Sequence, residues 1–110
     1  MIKVYVSKRI NTSPTTTPLV NGSTYVTSVI INCSAAGTGG TLKIQDRSSP
    51  PQILLGPISL ANPLPDPPSG KFELANDRVA MRGGVDAVTA GAAATLDLWL
   101  TGNRIEQFPV

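Results

Sequence analysis

Three carboxylates near the C-terminal end are the first residues whose placement could do chemistry. In "KFELANDRVAMRGGVDAVTAGAAATLDLWLT", residues 71–101, period-two alternation sets Glu73, Asp86 and Asp97 on the side opposite the apolar row. A four-residue turn at Ala90 to Ala93 would bring Asp86 directly across from Asp97. Two carboxylates so placed can share one proton, hold a cation, or receive an arginine. A slip of one residue in the alanine-rich turn would instead leave two ordinary surface aspartates. That plainer reading is preferred, because turn lengths are the least determined part of such a pattern.

Other chemistries are limited by what the chain lacks. There is no histidine, which removes Ser-His-Asp and Cys-His nucleophilic systems and histidine-based metal sites. A single cysteine, Cys33, cannot form an intramolecular disulfide or a cysteine-built zinc site. It falls in an apolar strand and reads as an inert core thiol. The "GTGG" at 37–40 is glycine-rich, but no helix follows to offer amides to a phosphate, so it reads as a loop. A glycosidase pair would need an aromatic sugar platform for which the sequence gives no support. No catalytic residue, cofactor or metal is expected.

Trp99 points toward adhesion. In "TLDLWL" Leu96, Leu98 and Leu100 take the core side, which turns Trp99 outward beside Asp97 and Thr101. An outward tryptophan on a strand is a typical interface anchor, since a large rigid ring buries much area at small entropic cost. Cover by the chain's own proline-rich segment is the competing reading. Tyr5, Leu64 and Pro65 are the other candidate interface residues, with Lys8 and Arg9 as possible rim contacts or simply a solvated strand end.

These groups need strands to position them. "IKVYV" alternates, with Ile2, Val4 and Val6 on one side and Lys3 and Tyr5 on the other. Residues 11–23 are rich in Thr and Pro and read as an extended arm or long loop. Residues 25–34 and 41–46 read as a hairpin. Its inward residues would be Tyr25, Thr27, Val29, Ile31 and Cys33 on the first strand, Leu42 and Ile44 on the second. Pro57 restricts the apolar run at 53–59 to an edge strand or two short pieces. The segment 60–70 is stiff and extended, with four prolines in nine residues from Asn62 to Gly70. From residue 71 on, turns at Asn76-Asp77, at 82–84 and at 90–93 predict a four-strand meander. Its pairs would be Phe72 with Met81, Leu74 with Val79, and Val85 with Leu98. A helix over 85–96 is disfavoured by Gly91 and the β-branched flanks.

Composition agrees with one β domain over residues 1–110. Of the 110 residues, 41% are hydrophobic, enough for one core. Ten glycines and ten prolines interrupt the chain too often for a long helix. The expected fold class is all-β, a small antiparallel sandwich or barrel with a C-terminal meander and proline-rich arms. Only 15% of residues are charged and the net charge is +2, with scattered basic residues and 5% aromatics, so nucleic acid is not an expected partner. No run approaches the ~20 apolar residues of a membrane helix. The N-terminus lacks the apolar core of a signal peptide, so synthesis in a cytoplasm is expected.

The combination of "FELANDRVAMRGGVDAVT" with a closing "ATLDLWL" resembles small β-rich virion proteins of tailed bacteriophages. In these a strand, an Asn-Gly or Asn-Asp turn, a strand, a glycine pair and a last T-x-x-x-[WY] strand recur near the C-terminus. The resemblance covers residues 71–101 and implies a capsid decoration (cement) protein or similar accessory virion component. Such a protein would oligomerise and bind the major capsid protein or another virion protein. It implies no catalytic residue. The alternative is a receptor- or glycan-binding module of a tail fibre or adhesin.

Overall fold

The computed structural model describes residues 2–11, 15–36, 39–61, 70–73 and 79–104. They form two antiparallel sheets packed face to face, a small β-sandwich, as the alternation predicts. The strands are β1 (Ile2–Ile10), β2 (Thr15–Asn21), β3 (Thr24–Ala36), β4 (Thr41–Asp46), β5 (Ile53–Ser59), β6 (Lys71–Glu73), β7 (Val79–Met81), β8 (Gly84–Ala90) and β9 (Ala94–Arg104). The larger sheet has the order β1-β9-β3, with β6 and β7 both on the far edge of β3. The smaller sheet has the order β2-β8-β4-β5.

The core is where alternation puts it. Leu96, Leu98 and Leu100 of β9 and Val29, Ile31 and Cys33 of β3 come from the larger sheet. Leu42 and Ile44 of β4 and Val85 and Ala87 of β8 meet them from the smaller one. Burying each large aliphatic side chain contributes about 1.5–3 kcal/mol against leaving it in water. Pro57 does lie on an edge strand, and β5 shifts register twice against β4.

The connectivity differs from the expected meander. β8 pairs with β2 and β4, whereas β7 and β9 belong to the other sheet. The turns at 82–84 and 90–93 therefore carry the chain from one layer to the other. Val85 and Leu98 share a core across the sandwich and are not ladder neighbours. For the same reason β3 and β4 are not a hairpin. Nor do Phe72 and Met81 pair, because β6 lies against Ser28–Ile30 and β7 against Thr24–Val26, in line along one edge. Leu74 and the Asn76-Asp77 turn lie outside the described residues. The physical reason is common to all these cases. Alternation fixes which side of a strand meets the core, and two facing layers satisfy it as well as two adjacent strands do.

Two local corrections follow from bulges. β3 shifts register against β9 between Val26 and Ser28, an extra residue that reverses parity. Thr24 and Val26 are inward before it and Val29, Ile31 and Cys33 after it, so Tyr25 and Thr27 face out. Residues 15–21 of the expected arm are the edge strand β2. Its register shift between Pro18 and Val20 leaves Leu19 and Val20 both buried.

Two glycines are required by these features. Gly84, where the chain crosses between layers, has φ +146°, and a Cβ there would lie 2.7 Å from the Val20 carbonyl oxygen and 2.8 Å from Arg47 Cζ. Gly102 sits on β9 beside the β3 bulge, where a Cβ would lie 2.3 Å from the Tyr25 carbonyl oxygen. Gly102→Ala must displace backbone, and we expect a cost of about 1–3 kcal/mol, the range for overpacking a tight site. Urea unfolding should show a lower midpoint at unchanged slope. An unchanged midpoint would mean that the bulge yields freely.

Candidate functional site

The outward row of β9 lies at the centre of the larger sheet, between β1 and β3. The register sets Ser7, Trp99 and Ile30 side by side, Tyr5, Thr101 and Ser28 in the next row, and Arg9, Asp97 and Asn32 in the row on the other side. Trp99 is 41% exposed and Tyr5 70% exposed, so both turn outward as alternation requires. They are diagonal neighbours and together line an open depression of about 160 Å³. The result is a flat face with an aromatic centre, bordered by hydroxyls and amides.

Below the aromatic row, Arg9 grips Asp97 directly across the ladder. Its Nε donates to Oδ1 at 2.8 Å and its Nη2 to Oδ2 at 3.1 Å. The hydrogen bonds to Arg9 hold the Asp97 carboxyl below the usual aspartate range, and the same contact raises the Arg9 guanidinium. Asp86 lies in the other sheet. There it accepts from Arg47, whose Nη2 approaches Oδ1 at 2.9 Å and also donates to Asn21 Oδ1 at 3.0 Å. The two aspartates thus share neither a proton nor a cation. Each receives its own arginine from within the chain. They are separate, but not through a slipped register: the 90–93 turn crosses between the sheets, and each aspartate is largely covered in its own ion pair.

Of the sequence-predicted interface residues, Trp99 and Tyr5 come together, and Lys8 and Arg9 lie exposed on the same strand as Tyr5. Leu64 and Pro65 lie outside the described residues. Cys33, the chain's one cysteine, is a buried thiol. Among the described residues, no cluster of three or more acidic, cysteine or histidine side chains could hold a metal, and no helix is long and apolar enough to cross a membrane.

A second open depression, of about 300 Å³, lies on the outer face of the smaller sheet. Thr41, Lys43, Ile53, Pro57, Val88 and Ala90 line it. Sequence reading did not single it out, because Val88 and Ile53 look like ordinary strand residues.

The other residue that sequence reading missed is Asp46. It is 1% exposed and accepts four hydrogen bonds. Ser48 N and Gln52 N donate to Oδ1 at 2.9 and 2.8 Å, and Ser48 Oγ and Arg82 N donate to Oδ2 at 2.9 and 3.2 Å. Arg47 N further donates to the Arg82 carbonyl, and Gly22 N to the Gly83 carbonyl. One carboxylate therefore anchors the β4–β5 loop and the β7–β8 crossing, and the β2–β3 turn is bound to the same crossing. Two signals pointed to it. Alternation in "TLKIQD" continues inward from Leu42 and Ile44 to Asp46, and "DRSS" offers an amide two residues on.

The chain matches no family model, no curated protein and no solved structure.

Burial by itself raises the Asp46 carboxyl, but its amide and hydroxyl donors outweigh burial and leave it below the usual value. The folded-state value lies below that of an unfolded aspartate, about 3.9. The carboxylate's contribution is therefore complete above that pH and is lost as pH falls through the folded-state value. Asp46→Asn leaves amide hydrogens facing N–H donors, and we expect a loss of about 1–3 kcal/mol at pH 7. Paired urea titrations at pH 7 and pH 3 should show the gap between wild type and variant narrowing at the lower pH. Equal stability at pH 7 would remove Asp46 from its anchoring role.

Proposed function

We propose that the chain is a non-enzymatic structural protein of a virus particle, a decoration or cement protein that docks on a tailed-phage capsid lattice and stabilises it. The observation that carries this reading is Trp99. The chain's one tryptophan stands two-fifths exposed on the central strand of a sheet, beside a more exposed tyrosine. The exposed part of these rings adds nothing to the stability of the fold, whereas an interface gains a rigid anchor from it. The three described aspartates support it from the side of chemistry, since each is engaged by an arginine or by loop amides. A surface poor in charge is likewise suited to being covered on assembly. The major capsid protein, or another virion protein, is the partner in this reading. Symmetry then multiplies modest contacts into firm attachment.

A second reading rests on the same ring. Trp99 lies next to the Arg9–Asp97 pair and to Ser7 and Thr101, so the C–H face of a sugar could stack on the indole while its hydroxyls reach these groups. That would suit a receptor- or glycan-binding module of a tail fibre or adhesin. A glycan array with the purified chain separates the two readings.

Trp99→Ala should weaken co-sedimentation with intact particles by about 2 kcal/mol, the size of an interface hot spot, or roughly thirty-fold in Kd. Its unfolding midpoint should stay near that of wild type. Undiminished binding would move docking off this face, and a collapse in stability would make Trp99 a core residue.

A further inference from the structure

The sandwich has four strand edges among its described residues, and three of them are blunted. β2 carries Pro18 and a register shift. β5 carries Pro57 and two register shifts. Among the described residues, the far edge of β3 is covered by β6 and β7, of three residues each, too short to template a long ladder. Prolines, bulges and short strands are the usual ways of making an edge unfit for pairing. β1 has none of them. It runs nine residues from Ile2 to Ile10 without proline, in unbroken register with β9. Among the described residues no strand pairs with its other side.

We propose that β1 pairs antiparallel with β1 of a second copy of this chain, in the register that sets Tyr5 opposite Tyr5. The two larger sheets then become one.

The occupant and the register follow from parity, charge and cover. Residues opposite each other in an antiparallel ladder point to the same side, so outward Tyr5 must meet an odd-numbered residue and inward Val4 an even-numbered one. A pairing centred on Val6 keeps parity but sets Lys3 opposite Arg9, like against like. A pairing centred on Ser7 sets Val6 against Lys8, and Val4 against Ile10, which the core already covers. A pairing centred on Tyr5 opposes Val4 to Val6 twice, Lys3 to Ser7 and Ile2 to Lys8, and sets no two charged side chains directly opposite each other. It covers Val4 and Val6, which the sandwich leaves only partly buried. A strand that complements itself in this way needs only a two-fold axis to close the assembly. Outside, the two Tyr5 rings meet on the axis with a Trp99 beyond each, and the aromatic patch of one chain becomes a stripe across two.

The inference does not depend on particle binding, because the pairing needs only the free chain. The full chain in size-exclusion chromatography with light scattering should elute at twice the monomer mass, dissociating on dilution. Tyr5→Lys sets like charges face to face on the axis and should raise the dissociation constant at least ten-fold while leaving the unfolding midpoint of the dissociated chain near that of wild type. Register is read by cross-linking in a Cys33→Ala background. Tyr5→Cys should be joined into dimers by a short bis-maleimide, and Ser7→Cys should react far less. A chain that stays monomeric at several hundred micromolar overturns the proposal. So does a dimer that tolerates Tyr5→Lys, or one that cross-links through position 7 in preference to position 5.

Discussion

Leu96, Leu98 and Leu100 lock the rotation of β9, and that lock sets every outward group on the larger sheet. All three are buried between the layers, and β9 is hydrogen-bonded on both sides, by β1 and β3. With a side-chain period of two, the strand has no freedom left in what it shows to solvent: Asp97, Trp99 and Thr101 must face out. Turning Trp99 inward would mean moving three leucines into water, at a cost of several kcal/mol. The exposed indole is therefore imposed by the core beneath it and is not an accident of loop placement.

The same logic explains what could be read from the sequence and what could not. The inward residues of β4, β8 and β9, the outward turn of Trp99 and the demotion of 53–59 to an edge all followed from alternation and one proline. Neighbour relations did not. Val85 and Leu98 belong to one core, and alternation is equally content with them side by side or face to face. What decides is the geometry of the links. The 82–84 crossing turns on Gly83 and Gly84, both at positive φ, and is bound by hydrogen bonds to the β2–β3 and β4–β5 loops. Those partners are far away in sequence. The bulge in β3 was hidden for a related reason. "YVTSVI" reads as unbroken alternation, and the extra residue shows only against β9, where Gly102 makes room for it.

The three described aspartates serve the scaffold. Asp46 binds loop amides at one end of the sandwich, and Arg47 next to it reaches Asp86 and Asn21 to tie β4, β8 and β2 together. Asp97 accepts two hydrogen bonds from Arg9 across the ladder, one row from Trp99. Such an exposed pair adds little to stability. Its effect here is positional: it favours an arrangement in which the guanidinium lies across the ladder on Asp97.

Edges complete the picture. A sandwich cannot close its sheets on themselves, so each edge must be defended or used. The smaller sheet is defended at both ends by proline and irregular register, and the irregularities carry a real cost: each leaves a residue out of the ladder. A chain that accepts that cost at β2 and β5, yet keeps β1 long, regular and proline-free, treats its edges unequally. The basic residues of β1 do not restore the balance. Arg9 is neutralised by Asp97, and Lys3 and Lys8 stand five residues apart on opposite sides of the strand. Among the described residues, β1 is paired regularly on one side and not on the other, which places Tyr5 where the described aromatic face ends. An edge open among the described residues, beside an exposed aromatic row, is what the proposed pairing of two β1 strands would fill.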